Sequence, residues 1–267
     1  MKLGLREFSQ QLLDAGDLDP VYTLLWEAQL DRETLEKWLL SYWCFYHVGT
    51  ASVLASCKVY WHAMREAAAG KHFPRCHERR HFRGENARKS VEFLEEQGLD
   101  TLFGEFRRAA YEQRGLTCYE VFDYVQEWVG FGPWISFKVA DMLERLDLLR
   151  VDFDMDAVFS LYDSPRKGAV LSFQNTFARD PKSSEAEPWA VAEVLDALGS
   201  RKAPPRFERP CNVQEAETCL CKWHSYMHGK YHIGEDVAAC RRGLLRFAKT
   251  RLAQSLLRAG AKGGLWE

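Results

Sequence analysis

Three carboxylates stand at alternate positions, Asp152, Asp154 and Asp156, in the segment RVDFDMDAVFS. Like charges at this spacing destabilise one another unless a cation lies between them. A divalent metal such as Mg²⁺, a cationic amine substrate, or Arg150 and Arg166 could supply that cation. A carboxylate in such a setting is also a suitable general base. The structural alternative is that Asp152 or Asp154 caps the helix predicted to follow.

A glycine-containing turn precedes these acids and predicts a helix-hairpin-helix over residues 119–146. One amphipathic helix ends at Gly130-Phe131-Gly132, and Pro133 begins the next. The glycines allow backbone angles that other residues avoid, proline in a first turn loses no hydrogen bond, and Phe131 should pack inward. Unpaired amides at the start of the second helix form an anion site that suits a DNA phosphate. An ordinary turn between two helices is the structural alternative.

Positive charge is concentrated in two segments, although the formal net charge of the chain is −2. Residues 71–89 hold seven Lys/Arg, and residues 241–262 hold seven more with no acid among them. Two basic patches on a nearly neutral chain are typical of a protein that binds phosphates locally. The alternative is that each patch is an ordinary solvated helix face. The DNA-contacting residues predicted from the hairpin and the first segment are Gly130, Phe131, Gly132, Trp134, Lys138, Arg79 and Arg80.

Helical patterns dominate the rest of the chain and predict an all-α fold. Asp31 and Thr117 are suitable helix caps. The small residues Ala51, Ser52, Ala55 and Ser56 suit close helix packing. No strand-like alternation or internal repeat stands out. The composition, 46% hydrophobic and 28% charged, is that of a globular protein. We expect one compact helical unit over 1–267, with any division near the proline-bearing connections at 163–210.

No segment resembles a membrane span or a signal peptide. No apolar run approaches the roughly 20 residues that a span requires. The N-terminal sequence MKLGLREFSQQLLDAG is amphipathic and contains acids, unlike a secretory signal. The expected location is the cytoplasm, with no membrane partner. Eight cysteines in a chain of this kind are expected to be free thiols or metal ligands.

Residues 211–236, CNVQEAETCLCKWHSYMHGKYHIGED, form a motif rich in polar, histidine and glycine residues. Asn212 and Glu215 predict a capping box for a helix, on which Glu215 and Lys222 share one face. Gly229-Lys230-Tyr231 resembles a substrate-binding loop. The motif adds Lys222 to the catalytic candidates Asp152, Asp154 and Asp156. It also predicts a substrate-binding set of Glu215, His224, Lys230 and Tyr231.

The hairpin resembles that of the helix-hairpin-helix DNA glycosylase superfamily, in which a Gly-hydrophobic-Gly turn precedes a helix and a Val-Asp pair. Here Val151-Asp152 falls twenty residues after Gly132. The resemblance implies a glycosylase-like helical bundle with Asp152 at the catalytic position. Pro133-Trp134 stands where bifunctional members have a nucleophilic lysine, and Lys138 lies a turn deeper, so Schiff-base chemistry is not expected.

Cysteine spacing disfavours a metal site in the motif. Glycosylases that bind an iron–sulfur cluster have the spacing Cys-x6-Cys-x2-Cys-x5-Cys. Here the spacing differs at every gap between the four cysteines Cys211, Cys219, Cys221 and Cys240. A zinc site that includes Cys219 and Cys221 is disfavoured because Cys-x-Cys on a helix directs the two thiols to different sides. We therefore predict no iron–sulfur cluster and assign no residue to a metal site. No cofactor is assigned, and the sequence leaves open whether Mg²⁺ takes part.

Three segments of the chain together indicate a more specific relationship. They are SYWCFYHVGTASVLAS, VGFGPWISFKVADMLERL and ETCLCKWHSYMHGKYHIGED. From about residue 20 to 250, the chain resembles the phage α-glutamyl/putrescinyl-thymine pyrophosphorylases, also described as amino acid:DNA transferases. The resemblance implies thymine hypermodification in the host cell cytoplasm: a kinase pyrophosphorylates 5-hydroxymethyluracil in DNA, and the transferase displaces the pyrophosphate with an amine. The implied partners are double-stranded DNA with modified thymine and an amino acid or polyamine.

This chemistry assigns roles to the candidate residues. Asp152 would take the proton of the attacking amine, Lys/Arg side chains or a metal would accept charge on the leaving pyrophosphate, and an aromatic ring would stack on the flipped base. The rings that could do so are those of Trp43, Tyr46 and Trp134. A glycosylase that excises a modified base would use Asp152 without a pyrophosphate site, and a non-enzymatic DNA-binding module would need the hairpin alone. The motif at 211–236, with its lysines Lys222 and Lys230 and its glycines, favours the transferase.

Overall fold

The computed structural model describes residues 2–70 and 72–266, and most of them are helical, as the all-α prediction requires. Lys71 of the first basic segment lies outside the described residues. The elements are α1 (Leu5–Asp14), α2 (Pro20–Ala28), α3 (Arg32–Phe45), α4 (Val48–Ala55), α5 (Tyr60–Ala69), α6 (Gly84–Leu102), α7 (Gly104–Tyr111), β1 (Leu116–Thr117), α8 (Cys118–Gln126), α9 (Pro133–Arg145), β2 (Val151–Asp152), α10 (Met155–Ser160), α11 (Ser164–Phe177), α12 (Ser183–Leu198), α13 (Val213–Met227), α14 (Glu235–Arg246) and α15 (Arg251–Lys262). No helix within the described ranges is long and apolar enough to cross a membrane.

Contacts within the chain divide it into two compact units. The first unit combines the chain up to Pro20 with Asp152–Ala238. The second combines Val21–Val151 with the chain from Ala239 onward. The polar connections at 163–210, where a division was expected, lie inside the first unit.

The first unit packs α1, α11, α12 and α13 around an apolar core. Phe8, Leu12 and Trp223 are among its largest buried side chains. α11 and α13 approach closely at Gly168, where a Cβ atom would lie 2.4 Å from the Leu220 carbonyl oxygen. Glycine is required at this position because any side chain would collide with the backbone of α13. This packing fixes the helix that contains most of the C-terminal motif.

The second unit contains the hairpin and is rich in buried aromatic rings. α3 packs on α4 and α9, and α8 packs on α9. α4 approaches α14 so closely at Gly49 that a Cβ atom would lie 2.1 Å from the Gly243 carbonyl oxygen. Trp43 is 0% exposed in this core. The prediction that Trp43 could stack on a flipped base is therefore wrong.

Local capping chemistry begins several helices where the sequence predicts it. Asp31 accepts a backbone hydrogen bond of 2.9 Å from the first turn of α3. Thr117 and Glu120 form a capping box at α8, and Asn212 and Glu215 form another at α13. These caps satisfy amides that a helix leaves unpaired at its start.

The corner between α3 and α4 links distant segments of the second unit. Tyr46 ends α3 with φ +47°, and its ring centroid lies 4.8 Å from that of Trp134 in α9. His47 caps α4, with its Nδ1 accepting the Thr50 N–H at 3.1 Å. The His47 ring lies 6.4 Å from that of Phe247, which follows α14. The corner therefore lies between the start of α9 and the end of α14.

We expect His47 to make the free energy of unfolding depend on pH between 6.5 and 4. Burial, and then the charge of Arg246, lower the pKa of His47 from 6.5 to about 4. The unfolded chain binds this proton near pH 6.5, whereas the folded chain does not. The stability that His47 contributes is therefore present above pH 6.5 and is lost as the pH falls toward 4, by at most about 3 kcal/mol. Urea unfolding at stepped pH values measures this loss.

A matched control for this dependence is His47→Asn. Asparagine is a good N-cap and does not titrate, so the decline in stability between pH 6.5 and 4 should be smaller in this variant. Identical pH curves for the two proteins would assign the dependence to other groups.

Candidate functional site

The hairpin of the second unit exposes the start of α9. α8 ends at Gln126, and α9 begins at Pro133 after Gly132, with no side-chain cap. Gly132 and Pro133 are both exposed. The first amides of a helix that lacks a side-chain cap are available to an anion. The helix start therefore has the arrangement that a phosphate contact requires.

The two hairpin glycines differ in their structural roles. Gly130 has φ +84°, and a Cβ atom there would lie 3.1 Å from Ser90 Oγ. Gly132 is extended, at φ −102° and ψ −174°, with open space at its Cβ position. The prediction of special backbone angles is correct for Gly130 and wrong for Gly132. Phe131 is buried against Trp128, with 5.2 Å between ring centroids, so it packs inward as predicted and cannot contact DNA.

Arg79 supports the hairpin from inside the unit. Its side chain is 7% exposed. Nε donates to the Cys44 carbonyl at 2.9 Å, and Nη1 donates to the Gly130 carbonyl at 3.1 Å. The guanidinium also lies over the rings of Phe82 and Phe131, at 4.7 and 5.3 Å from their centroids. Arg79 therefore holds the turn in position, and the prediction that it contacts DNA phosphate is corrected.

The other predicted DNA contacts differ in exposure. Arg80 is exposed directly beside the buried Arg79. Trp134 is half-buried against Tyr46 in the first turn of α9. Lys138 is 7% exposed, and its ammonium lies 5.3 Å from the centroid of the Phe137 ring. This burial one turn deeper in α9 removes Lys138 from the surface, so only Arg80 and Trp134 of these three stay in the DNA-contacting set.

The three acids are all exposed and belong to the first unit. Asp154 caps α10, with Oδ1 accepting the Ala157 N–H at 2.9 Å, which confirms that one of the acids has a capping role. Asp156 lies in the first turn of α10, where the helix dipole stabilises a carboxylate. Asp152 precedes the helix, in β2, and its side chain is exposed. It is the acid that the hairpin resemblance places at the catalytic position, and it stays the candidate for a general base.

Lys222 is a structural cation in the first unit. Its Nζ donates to the carbonyls of Asp17 and Leu18, the latter at 2.8 Å, and pairs with Asp236 at 2.6 Å. Burial by itself would lower the pKa of Lys222, but Asp236, Asp19 and Asp17 raise it above the usual value. A lysine ammonium has three donors, and these three partners occupy them. The predicted catalytic role for Lys222 is therefore replaced by a structural one.

Glu215 is 0% exposed and serves the start of α13. Its Oε2 accepts the Asn212 N–H at 2.7 Å in the capping box. The same carboxylate pairs with Arg209, with 2.9 Å between Nη1 and Oε2. Both contacts belong to the framework of the first unit, so the prediction that Glu215 binds substrate is corrected.

Asp17 organises the C-terminal motif and was not predicted from the sequence. Its buried carboxylate accepts the N–H groups of Gly234 at 2.7 Å and Val237 at 2.8 Å, and the hydroxyl of Tyr231. Burial, and then nearby acids, raise the pKa of Tyr231. Tyr231, in the loop before α14, therefore has Asp17 as its structural partner. Nothing local in the segment DAGDLDP distinguishes Asp17 from the acids on either side of it.

His224 and Lys230 are the accessible members of the predicted substrate-binding set. The half-buried His224 ring lies 4.5 Å from that of His228. Burial, and then neighbouring cations, lower the pKa of His224. Lys230 is exposed, and its N–H donates to the Ser225 carbonyl at 2.9 Å after Gly229 ends the helix with φ +68°.

The cysteines of the chain are free thiols. Burial raises the pKa of Cys44 to about 12 and that of Cys219 to about 12, and a thiol that stays protonated is a poor nucleophile. Within residues 2–70 and 72–266, no three His, Cys, Asp or Glu side chains form a group suited to a metal ion. We therefore assign no chemical step to the Cys44 or Cys219 thiol.

Comparison with known proteins decides the family of the chain. The sequence model of a family described as "Amino acid:DNA transferase" matches residues 12–232. The chain belongs to the amino acid:DNA transferase family. A glycinyltransferase of Pseudomonas phage PaMx11 is 38% identical over 97% of this chain and 96% of its own length. A putrescinyltransferase of Delftia phage PhiW-14 is 23% identical over 91% of this chain and 79% of its own length.

The family assignment confirms the resemblance found in the three sequence segments, and this chain is an enzyme of amino acid transfer to DNA. The matched residues include the hairpin, the three acids and α13, whereas α14 and α15 lie outside the match. The accessible candidates that the structure leaves to this transferase are Asp152, Asp156, Arg80, Trp134, His224 and Lys230.

Proposed function

We propose that this transferase joins the amino group of glycine to 5-pyrophosphomethyluracil in double-stranded DNA and releases pyrophosphate. The observation that supports glycine is similarity to a glycinyltransferase along nearly the whole chain, at 38% identity, against 23% for the putrescinyltransferase. The donor then carries a carboxylate, which a polyamine lacks. The exposed Lys230 is suited to pair with that carboxylate, and the half-buried His224, whose pKa is lowered, can donate a hydrogen bond from its neutral ring.

The reaction is a substitution at the methylene carbon of the modified base. The amine nitrogen forms a bond to this carbon while the bond from carbon to the pyrophosphate oxygen breaks. Glycine in solution carries an ammonium group, and Asp152, as general base, accepts the proton that this group must lose before its nitrogen can attack. Pyrophosphate leaves with the electron pair of the broken bond. Nearby Lys/Arg donors stabilise the charge that develops on it.

Duplex DNA is bound by the helix-hairpin-helix of the second unit. The exposed start of α9 takes a phosphate, and Arg80 neutralises a second one nearby. The target base leaves the duplex for the chemistry, and the half-buried Trp134 and Tyr46 provide an aromatic surface for stacking. A glycosylase-like arrangement of the helices and action in the host cell cytoplasm are part of this proposal.

The proposed reaction can be tested with purified protein and a duplex that contains one 5-pyrophosphomethyluracil. Separate reactions receive glycine, glycinamide, glutamate or putrescine, and nucleosides are identified by mass spectrometry. We expect a glycine adduct and one pyrophosphate released per adduct. Glycinamide keeps the amine of glycine but loses the carboxylate, so we expect it to have a higher KM.

Other products would contradict the proposal in different ways. Free base and abasic sites without an adduct would identify a glycosylase. Putrescine as the preferred donor would retain the transferase and exclude glycine as its substrate. DNA binding without either product from any modified base would leave only a binding module.

A further inference from the structure

The C-terminal segment of the second unit has a strongly one-sided charge. Residues 239–262 contain seven Lys/Arg and no Asp/Glu, in a chain whose net charge is −2. They form the second half of α14 and all of α15, beyond the family match that ends at residue 232. The proposed reaction assigns no role to these cations.

Ion pairs with acidic residues do not account for several of these cations. Lys262 pairs with Glu27, with 2.8 Å between Nζ and Oε2. In contrast, Lys249, Arg251 and Arg258 are exposed and form no ion pair within the described part of the chain. Most exposed cations of the transferase elsewhere have an acidic neighbour, and Arg6, Arg108 and Arg179 are examples.

Helix stability does not explain the placement of Arg251 either. Arg251 is the first residue of α15, and that first turn contains no acid. A cation at a helix N-terminus opposes the helix dipole, so Arg251 does not stabilise the start of α15. Arg251 and Arg258 are seven residues apart, so both lie on the exposed face of α15. The other face is buried through Leu252, Leu256 and Ala259.

The start of this basic segment lies close to the hairpin. The charge of Arg246, the last residue of α14, contributes to the lowered pKa of His47. The next residue is Phe247, and its ring centroid lies 6.4 Å from that of His47. The ring centroid of the adjacent Tyr46 lies 4.8 Å from that of Trp134, in the first turn of α9. The corner between α3 and α4, Tyr46 and His47, therefore lies between the end of α14 and the start of α9. This helix start is the proposed phosphate contact of the hairpin, and all these elements belong to the second unit.

We propose that Arg246, Lys249, Arg251 and Arg258 form a C-terminal basic surface that contacts the backbone of the duplex held by the hairpin. Its ligand is duplex DNA phosphate, because the surface offers only positive charge and is next to a second phosphate contact. The twelve residues of α15 extend roughly 18 Å. One strand of DNA presents about five phosphates over that length. Contacts of this kind are independent of base sequence.

The test is the salt dependence of duplex binding, measured by fluorescence anisotropy on an unmodified duplex. The variant is the triple substitution Arg246→Gln, Lys249→Gln and Arg251→Gln. Each phosphate contact contributes about −0.9 to the slope of log K against log salt concentration. We expect the triple variant to lose about two to three units of slope if these residues contact phosphates. Far-UV circular dichroism checks that its helix content equals that of the wild type.

The matched control removes three positive charges from elsewhere, by Arg6→Gln, Arg108→Gln and Arg179→Gln. Each of these arginines pairs with an acid, so we expect the wild-type slope. A wild-type slope in the C-terminal variant would overturn the proposal, and so would equal losses in the two triple variants. The inference rests on the DNA binding of the proposed function. Its own failure is distinguishable, because the wild type would then still bind DNA and transfer glycine.

Discussion

Asp152→Asn should lower the rate of transfer to DNA by about 10²- to 10⁴-fold, the usual contribution of a general base. Asparagine keeps the size of aspartate but cannot accept the proton of an ammonium group. Since Asp152 is not part of the hairpin, the Kd for duplex DNA should not change. Single-turnover assays with glycine and 5-pyrophosphomethyluracil DNA measure the rate, and anisotropy measures binding.

The neighbouring acids provide matched controls for this result. Asp154→Asn retains the cap of α10, because asparagine and aspartate are equally good N-caps, and Asp156→Asn removes one charge from the same helix turn. Both variants should keep most of the activity. A fully active Asp152→Asn protein would exclude Asp152 as the base, and loss of activity in Asp156→Asn alone would move the role to Asp156.

Arg79→Lys should weaken duplex binding without changing its salt dependence. Lysine keeps the charge but lacks the planar fork that reaches both the Cys44 and Gly130 carbonyls. Loss of one charged hydrogen bond from a buried carbonyl should lower the free energy of unfolding by about 1.5–3 kcal/mol. The hairpin turn would then be less well fixed, and affinity would fall. The slope against salt should stay the same because lysine keeps the positive charge.

Arg80 is the control for this experiment, since it is the exposed neighbour of Arg79. Arg80→Gln should leave stability nearly unchanged and reduce the magnitude of the salt slope by about 0.9. Unchanged stability and affinity in Arg79→Lys would remove the positioning role of Arg79.

The features predicted correctly from the sequence depend on neighbours a few residues away. The capping boxes at Thr117 and Asn212, the inward packing of Phe131 and the positive φ of Gly130 are all of this kind. A cap is completed by a side chain three residues later, so residue types and spacing are sufficient to predict it. The cap formed by Asp154 was likewise one of the two alternatives that the sequence left open.

The incorrect site assignments concern charged residues whose partners are remote in sequence. Arg79 and Lys222 have the residue types of phosphate ligands, and their positions in basic or polar segments supported that interpretation. Arg79 instead binds the carbonyl of Gly130, 51 residues away. Lys222 binds that of Asp17, 205 residues away. A buried cation is stable only with such partners, and local spacing gives no information about them.

The sequence by itself determined the helical class, the hairpin, the family and the three acids among which the base is sought. Tertiary structure alone decided which charged side chains are accessible to a substrate. It buried Arg79, Lys138, Lys222 and Glu215, and it made Asp17 the acceptor that orders the loop before α14. The physical reason is the range of the interactions involved. Helix periodicity, caps and turns form between residues that are close in sequence, whereas desolvation of a charge depends on which distant segments pack against it.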